Sequence, residues 1–118
     1  MTDVEEILAE LEKAKNKLII VEGKKDIAAL RSFGVDNVIQ LYKDPIYKIV
    51  EKVVETGREV LILTDLDKEG KKLFGKLNKE LQRRGVKVDN HLRELLFKTG
   101  LKEIEGLDTF IQNRERKP

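Results

Sequence analysis

The chain has 118 residues, 40% hydrophobic and 39% charged, and its 24 Lys+Arg against 22 Asp+Glu leave a formal net charge of +2. That length suits one domain around one core, and the hydrophobic fraction excludes a disordered chain. The near-neutral balance does not by itself announce a nucleic-acid ligand, the absence of cysteine excludes disulfides and thiolate zinc sites, and no apolar run reaches the roughly 18 residues of a membrane span. The acidic, amphipathic N-terminus is unlike a secretion signal, so the expected location is cytoplasmic. Heavy Lys and Glu usage without cysteine is a thermophile-like composition.

Thr2 and Glu5 match a capping box, and Val4, Ile7, Leu8, Leu11 and Ala14 recur at helical spacing, which predicts a first helix to about Lys15. Leu18-Ile19-Ile20-Val21 is a β-branched run that stops at Glu22-Gly23 and reads as strand one. Ile27, Ala28, Leu30 and Phe33 mark a helix that Gly34 terminates in the left-handed region. Strand two follows over Asn37 to Leu41. Asp44-Pro45 then opens a helix whose buried stripe is Ile46, Ile49, Val50, Val53 and Val54, ending before Gly57.

Strand three is Glu59 to Thr64. A long helix from about Lys68 to Arg84 turns Leu73, Phe74, Leu77 and Leu81 inward, and Gly85 precedes a brief fourth strand, Val86-Lys87-Val88. Two further helices are expected, about Asn90 to Lys98 and about Lys102 to Asn113. The whole reads as a single domain over residues 1–118, with an N-terminal helix in 1–16, a core in 17–113 and a frayed tail in 114–118. Strands alternating with helices predict parallel pairing, and continuous apolar runs predict a sheet covered on both faces, a three-layer α/β/α domain.

Glu22 and Asp65 each follow the apolar run of a strand. In a parallel sheet both therefore lie at the carboxyl edge, where open α/β folds place their ligands. If they share a ligand, strands one and three are neighbours, and the predicted four-stranded order is 2-1-3-4. Two ionised carboxylates about 5 Å apart repel by roughly 3 kcal/mol at an effective dielectric near 20, so a cluster of Glu22, Asp65 and Asp67 calls for protonation or a cation. All-oxygen ligands select a hard ion, Mg²⁺ first and Mn²⁺ second. Asp67 equally suits a helix cap, and Asp26 reads as a first-turn partner of the helix dipole.

Asp65, Asp67, Glu69 and Gly70 match four positions of a calcium loop, but its twelfth position is Lys76 and a strand precedes it, so that reading fails. No GxxxxGK[ST] or GxGxxG is present, which removes the usual nucleotide-binding loops.

Together, Ile20-Val21-Glu22-Gly23-Lys24-Lys25-Asp26 and Ile62-Leu63-Thr64-Asp65-Leu66-Asp67-Lys68-Glu69-Gly70 resemble the two motifs of the Toprim domain, and the pattern holds from about Lys17 onward. That Rossmann-like domain is shared by topoisomerases, bacterial-type primases, OLD-type nucleases, recombination mediators and the maturase of 5S ribosomal RNA. The chain looks like a small stand-alone member. The resemblance implies that Glu22 is a general acid or base in phosphodiester chemistry, that Asp65 and Asp67 hold Mg²⁺, and that Gly23 and Gly70 let backbone approach phosphate. It also implies a nucleic-acid ligand, DNA or RNA, with protein partners of a processing complex as a further expectation.

Lys24 and Lys25, beside Glu22, are the leading phosphate candidates. On the long helix Lys68, Lys72, Lys76, Lys79 and Arg83 fall in one arc at about 100° per residue, opposite the leucines, either a track for a phosphate backbone or a solvated face. Arg58, Lys43 and Arg93 are left unranked as phosphate candidates; Tyr42 and Tyr47 read as packing residues, Glu105 as a surface helix glutamate ahead of one that approaches the site, and His91 receives no catalytic role. Metal-dependent nuclease or RNA-processing activity is the first functional expectation. A non-catalytic nucleic-acid-binding or scaffold module is the alternative, and hydrolysis of a small phosphate ester ranks last.

Overall fold

The computed structural model describes residues 3–115; Thr2 of the expected capping box and residues 116–118 of the expected tail lie outside the described residues. In chain order come α1 (Asp3–Ala14), β1 (Leu18–Val21), α2 (Lys24–Arg31), β2 (Val38–Gln40), α3 (Ile46–Thr56), β3 (Val60–Ile62), α4 (Lys68–Arg83), α5 (His91–Lys98), a 3-10 turn (Ile104–Gly106) and α6 (Leu107–Glu115).

The sheet is parallel, with order β2-β1-β3, and Ile20 at its centre stands between Ile39 and Ile62. Successive strand residues face opposite ways, and the burial follows that period. Ile19, Val21, Leu61 and Leu63 join Ile7 and Leu11 of α1, Leu30 of α2, Leu92 and Leu96 of α5 and Ile111 of α6 in one cluster. Leu18, Ile20, Val60 and Ile62 join Ile49 and Val53 of α3 and Leu77 and Leu81 of α4 in the other. Each such aliphatic side chain contributes about 1.5–3 kcal/mol on burial, so both faces of the sheet must be covered. Three layers result.

The expected fourth strand is corrected. Val86 to Val88 makes a single parallel bridge, Val60 to Val88, on the β3 side where strand four was placed, and among the described residues the sheet has three strands. Two hydrogen bonds hold it, Val60 N–H to Lys87 O at 3.0 Å and Asp89 N–H to Val60 O at 2.9 Å. Asp89 then turns the chain into α5, its Oδ1 accepting from His91 N–H at 3.0 Å, so no residues remain to follow β3 toward its carboxyl end.

Gly34 sits at φ 78°, as the helix-terminating role requires. The expected helix from Lys102 to Asn113 starts later and ends later, because residues 102–103 run along the loop after β3 and Ile104–Gly106 forms the 3-10 turn before α6. Lys102 O accepts from Leu66 N–H at 2.8 Å, and α6 then runs from Leu107 through Glu115.

Candidate metal and phosphate site at the carboxyl edge of the sheet

Because β1 and β3 are parallel neighbours, Glu22 and Asp65 emerge side by side beyond their last paired residues. The Asp65 backbone N–H donates to Glu22 Oε2 at 2.7 Å, which ties the two strand ends together. Asp65 Oδ1 in turn accepts from Ile104 N–H at 3.0 Å, drawing in the segment before α6. Asp67 caps α4, its side chain accepting from Gly70 N–H at 2.8 Å. The capping expectation for Asp67 is met, and the cap uses Oδ1 only.

Gly70 is buried, and its reason for being glycine is steric: a Cβ here would stand 1.9 Å from the Asp65 carbonyl oxygen. The first turn of α4 therefore lies directly on the Asp65 backbone, fastened by Thr64 Oγ1 donating to Gly70 O at 2.7 Å. Gly23 precedes α2, where its N–H donates to Asp26 Oδ2 at 3.1 Å. Glu22, Gly23, Lys24, Lys25, Asp26, Tyr42, Asp65 and Glu105 line an open depression of about 420 Å³. Asp67, Lys68 and Lys72 are not part of that lining; they stand exposed where α4 begins. Lys72 lies 3.9 Å from Glu69, while Lys68, Lys76 and Lys79 are exposed along the same helix.

Burial raises the pKa of Glu22, and the negative charges of Asp65 and Asp67 add to it against the opposing Asp65 N–H bond and the Arg93 charge. Asp65 is raised for the same leading reason, with Asp67 and Glu105 contributing. Asp26, 5% exposed, is pushed up to about 6 by burial and by the acids around it.

The sequence leaves Arg93 unranked, favours a surface place for Glu105 and reads Tyr42 and Tyr47 as packing residues. Arg93, 3% exposed, donates to Ile62 O at 3.3 Å, Thr64 O at 2.6 Å and Asp65 O at 3.0 Å. In parallel pairing Val60, Ile62 and Thr64 turn their carbonyls to the same side, so the guanidinium takes the place of the missing part of strand four. It lies 4.7 Å from the Phe74 ring centroid and 5.2 Å from that of Phe97, and burial lowers its pKa to about 10. The available signal was its place within Leu92-Arg93-Glu94-Leu95-Leu96, on the inward face of α5. Glu105 is exposed on the 3-10 turn and sits at the depression, the alternative the sequence leaves open, because Ile104 is anchored to Asp65. Tyr42 and Tyr47 are 67% and 61% exposed, so neither is a packing residue.

Among the described residues no three acidic or histidine side chains are gathered into a ready metal cage. The donor chemistry nevertheless suits a hard cation. Glu22, Asp65 and Asp67 each commit one carboxylate oxygen to a backbone N–H, and among the described residues the other oxygen of each has no hydrogen-bond donor. Mg²⁺ commonly takes one or two carboxylates, with water and phosphate completing its shell.

A parallel sheet with acids at its carboxyl edge places the chain among α/β domains with a site at the strand ends, and the chain belongs to the Toprim domain family, whose pattern matches residues 16–90. Divalent-metal binding is general in that family. A UPF0292 protein of Methanocaldococcus jannaschii is 36% identical over 115 residues, covering 92% of this chain and 90% of its own. Another, from Methanosarcina acetivorans, is 32% identical over 120 residues, covering 97% and 83%. A solved structure of a protein from Aquifex aeolicus superposes with a TM-score of 0.79 at 34% identity, covering 86% of this chain and 94% of that one. No described helix is long and apolar enough to cross a membrane.

Proposed function

We propose that the chain carries out Mg²⁺-dependent phosphodiester chemistry on nucleic acid, as a nuclease or RNA-processing enzyme. The observation that carries this reading is the Asp65 N–H to Glu22 Oε2 bond of 2.7 Å, which holds two strand-end carboxylates at one edge. Asp65 and Asp67 are the metal-holding residues, and Glu22 is able to join them. A bound Mg²⁺ would neutralise charge on phosphate oxygens in the transition state. Glu22, with its pKa raised mainly by burial, exchanges a proton with the attacking or leaving oxygen. Lys24 and Lys25, on the first turn of α2, and Lys68 and Lys72, one turn apart at the start of α4, take phosphates on either side.

A divalent-cation titration followed by melting tests the site. Mg²⁺ or Mn²⁺ should raise the melting temperature of wild type and leave Asp65→Asn unmoved. Cleavage of a DNA and RNA panel tests the chemistry: wild type should cut, and Glu22→Gln should fold but not cut. If wild type cuts nothing in either metal, the enzymatic reading fails.

A second reading, a non-catalytic nucleic-acid-binding module, is favoured by the structural work these acids do. Glu22 and Asp65 each fasten a backbone N–H of another segment. On that reading nucleic-acid binding survives Glu22→Gln and no cleavage is seen.

A further inference from the structure

Beyond β2 the chain makes a tight turn, with Asp44 N–H donating to Leu41 O at 2.9 Å. Tyr42 takes the first central position at φ 48° and is the sole non-glycine with positive φ among the described residues. Glycine, asparagine or aspartate hold such a position at lower cost, and a bulky residue there is an outlier of a kind that gathers at ligand sites.

The core gains nothing from this ring, which is 67% exposed. Its backbone, by contrast, is fixed to the site, because Tyr42 N–H donates to Glu22 O at 3.2 Å. Tyr42 lines the same depression as Glu22, Lys24, Lys25 and Asp65. The Lys43 ammonium lies 5.6 Å from its ring centroid, which adds a third cation beside an open aromatic surface. An aromatic face flanked by lysines is the arrangement that holds a nucleobase by stacking and its phosphates by charge.

We infer that Tyr42 is a stacking platform for an unpaired nucleobase, so that the ligand at this edge is single-stranded nucleic acid or an unpaired loop. This rests on the nucleic-acid reading above and narrows its substrate class. Bases within a duplex are stacked on one another and offer Tyr42 no free face.

The test is fluorescence anisotropy of a labelled 12-nucleotide single strand, an abasic strand of equal length and a duplex, all in EDTA so that nothing is cut. Wild type should bind the intact strand at least about ten-fold more tightly than the abasic one. Tyr42→Ala should lose about ten-fold on the intact strand and nothing on the abasic strand or duplex, while Tyr42→Phe should match wild type. The abasic arm needs no variant, so the outcome does not depend on how Tyr42→Ala folds. Equal affinity of wild type for intact and abasic strands, or of Tyr42→Ala and wild type for the intact strand, overturns the platform alone. Failure of wild type to bind any of the three, both in EDTA and with Ca²⁺ supplied in place of Mg²⁺, overturns the platform and the nucleic-acid reading together.

Discussion

Replacing Arg93 by methionine keeps most of the side-chain volume and removes the guanidinium. Three carbonyls then lose their donor, at 2.6 Å, 3.0 Å and 3.3 Å. Hydrogen bonds to a charged group are worth about 1.5–3 kcal/mol each, and a buried acceptor left without a partner costs about 1–3 kcal/mol. The stacking on Phe74 and Phe97 adds roughly 1 kcal/mol or more. Against this stands the desolvation of the guanidinium, several kcal/mol in the folded state, which the variant no longer bears. The 3.3 Å bond is weak, so two good bonds and the stacking decide the balance, and the net loss should be about 3 kcal/mol. At this chain length that lowers the melting temperature by about 10 °C. Urea denaturation followed by far-UV circular dichroism measures it, with Arg93→Lys expected to lose about half as much, since one ammonium cannot fork to three carbonyls. The same substitution withdraws a positive charge that lowers both acids, so the pKa values of Glu22 and Asp65 should rise further, readable by carboxyl-carbon NMR. A loss below about 1 kcal/mol for Arg93→Met would refute the view that this side chain completes the edge of β3.

Gly70→Ala should destabilise by roughly 3 kcal/mol, because the new methyl meets backbone that cannot swing aside, whereas Gly75→Ala in the same helix meets nothing within 4 Å and should gain about 0.5–1 kcal/mol. The contrast is read from paired denaturation curves. Asp26 binds its proton more tightly folded than unfolded, with a pKa raised from 3.8 to about 6, so its contribution to stability is full below about pH 4 and falls away as the pH rises through 6. Asp26→Asn, which keeps an acceptor for Gly23 N–H, should therefore be favoured over wild type at pH 7 relative to pH 4 by roughly 1–3 kcal/mol; equal slopes of stability against pH would contradict this.

The apolar runs Leu18–Val21 and Leu61–Leu63 determined the parallel three-layer domain. A strand buried on both faces needs helices above and below, and that need is written locally in the residues. The neighbouring of β1 and β3 was also legible, because acids placed at two strand ends gain a common ligand only when those strands adjoin.

Tertiary structure decided what depended on long-range competition for backbone groups. Val86 to Val88 has strand composition, yet Asp89 turns the chain away after one bridge, and Arg93, arriving 28 residues after Asp65 in sequence, takes the carbonyls that a longer strand would have met. Glu105 was readable as a surface residue of a longer helix because periodicity cannot register that Ile104 N–H donates to Asp65 Oδ1. Gly70 carries no sign in its neighbours that a carbonyl passes against it. Tyr42 reads as an ordinary strand-end aromatic until the turn that follows β2 sets its φ and turns it outward. Local pattern fixes what a segment prefers; which groups it meets from elsewhere in the chain is settled only when the layers close.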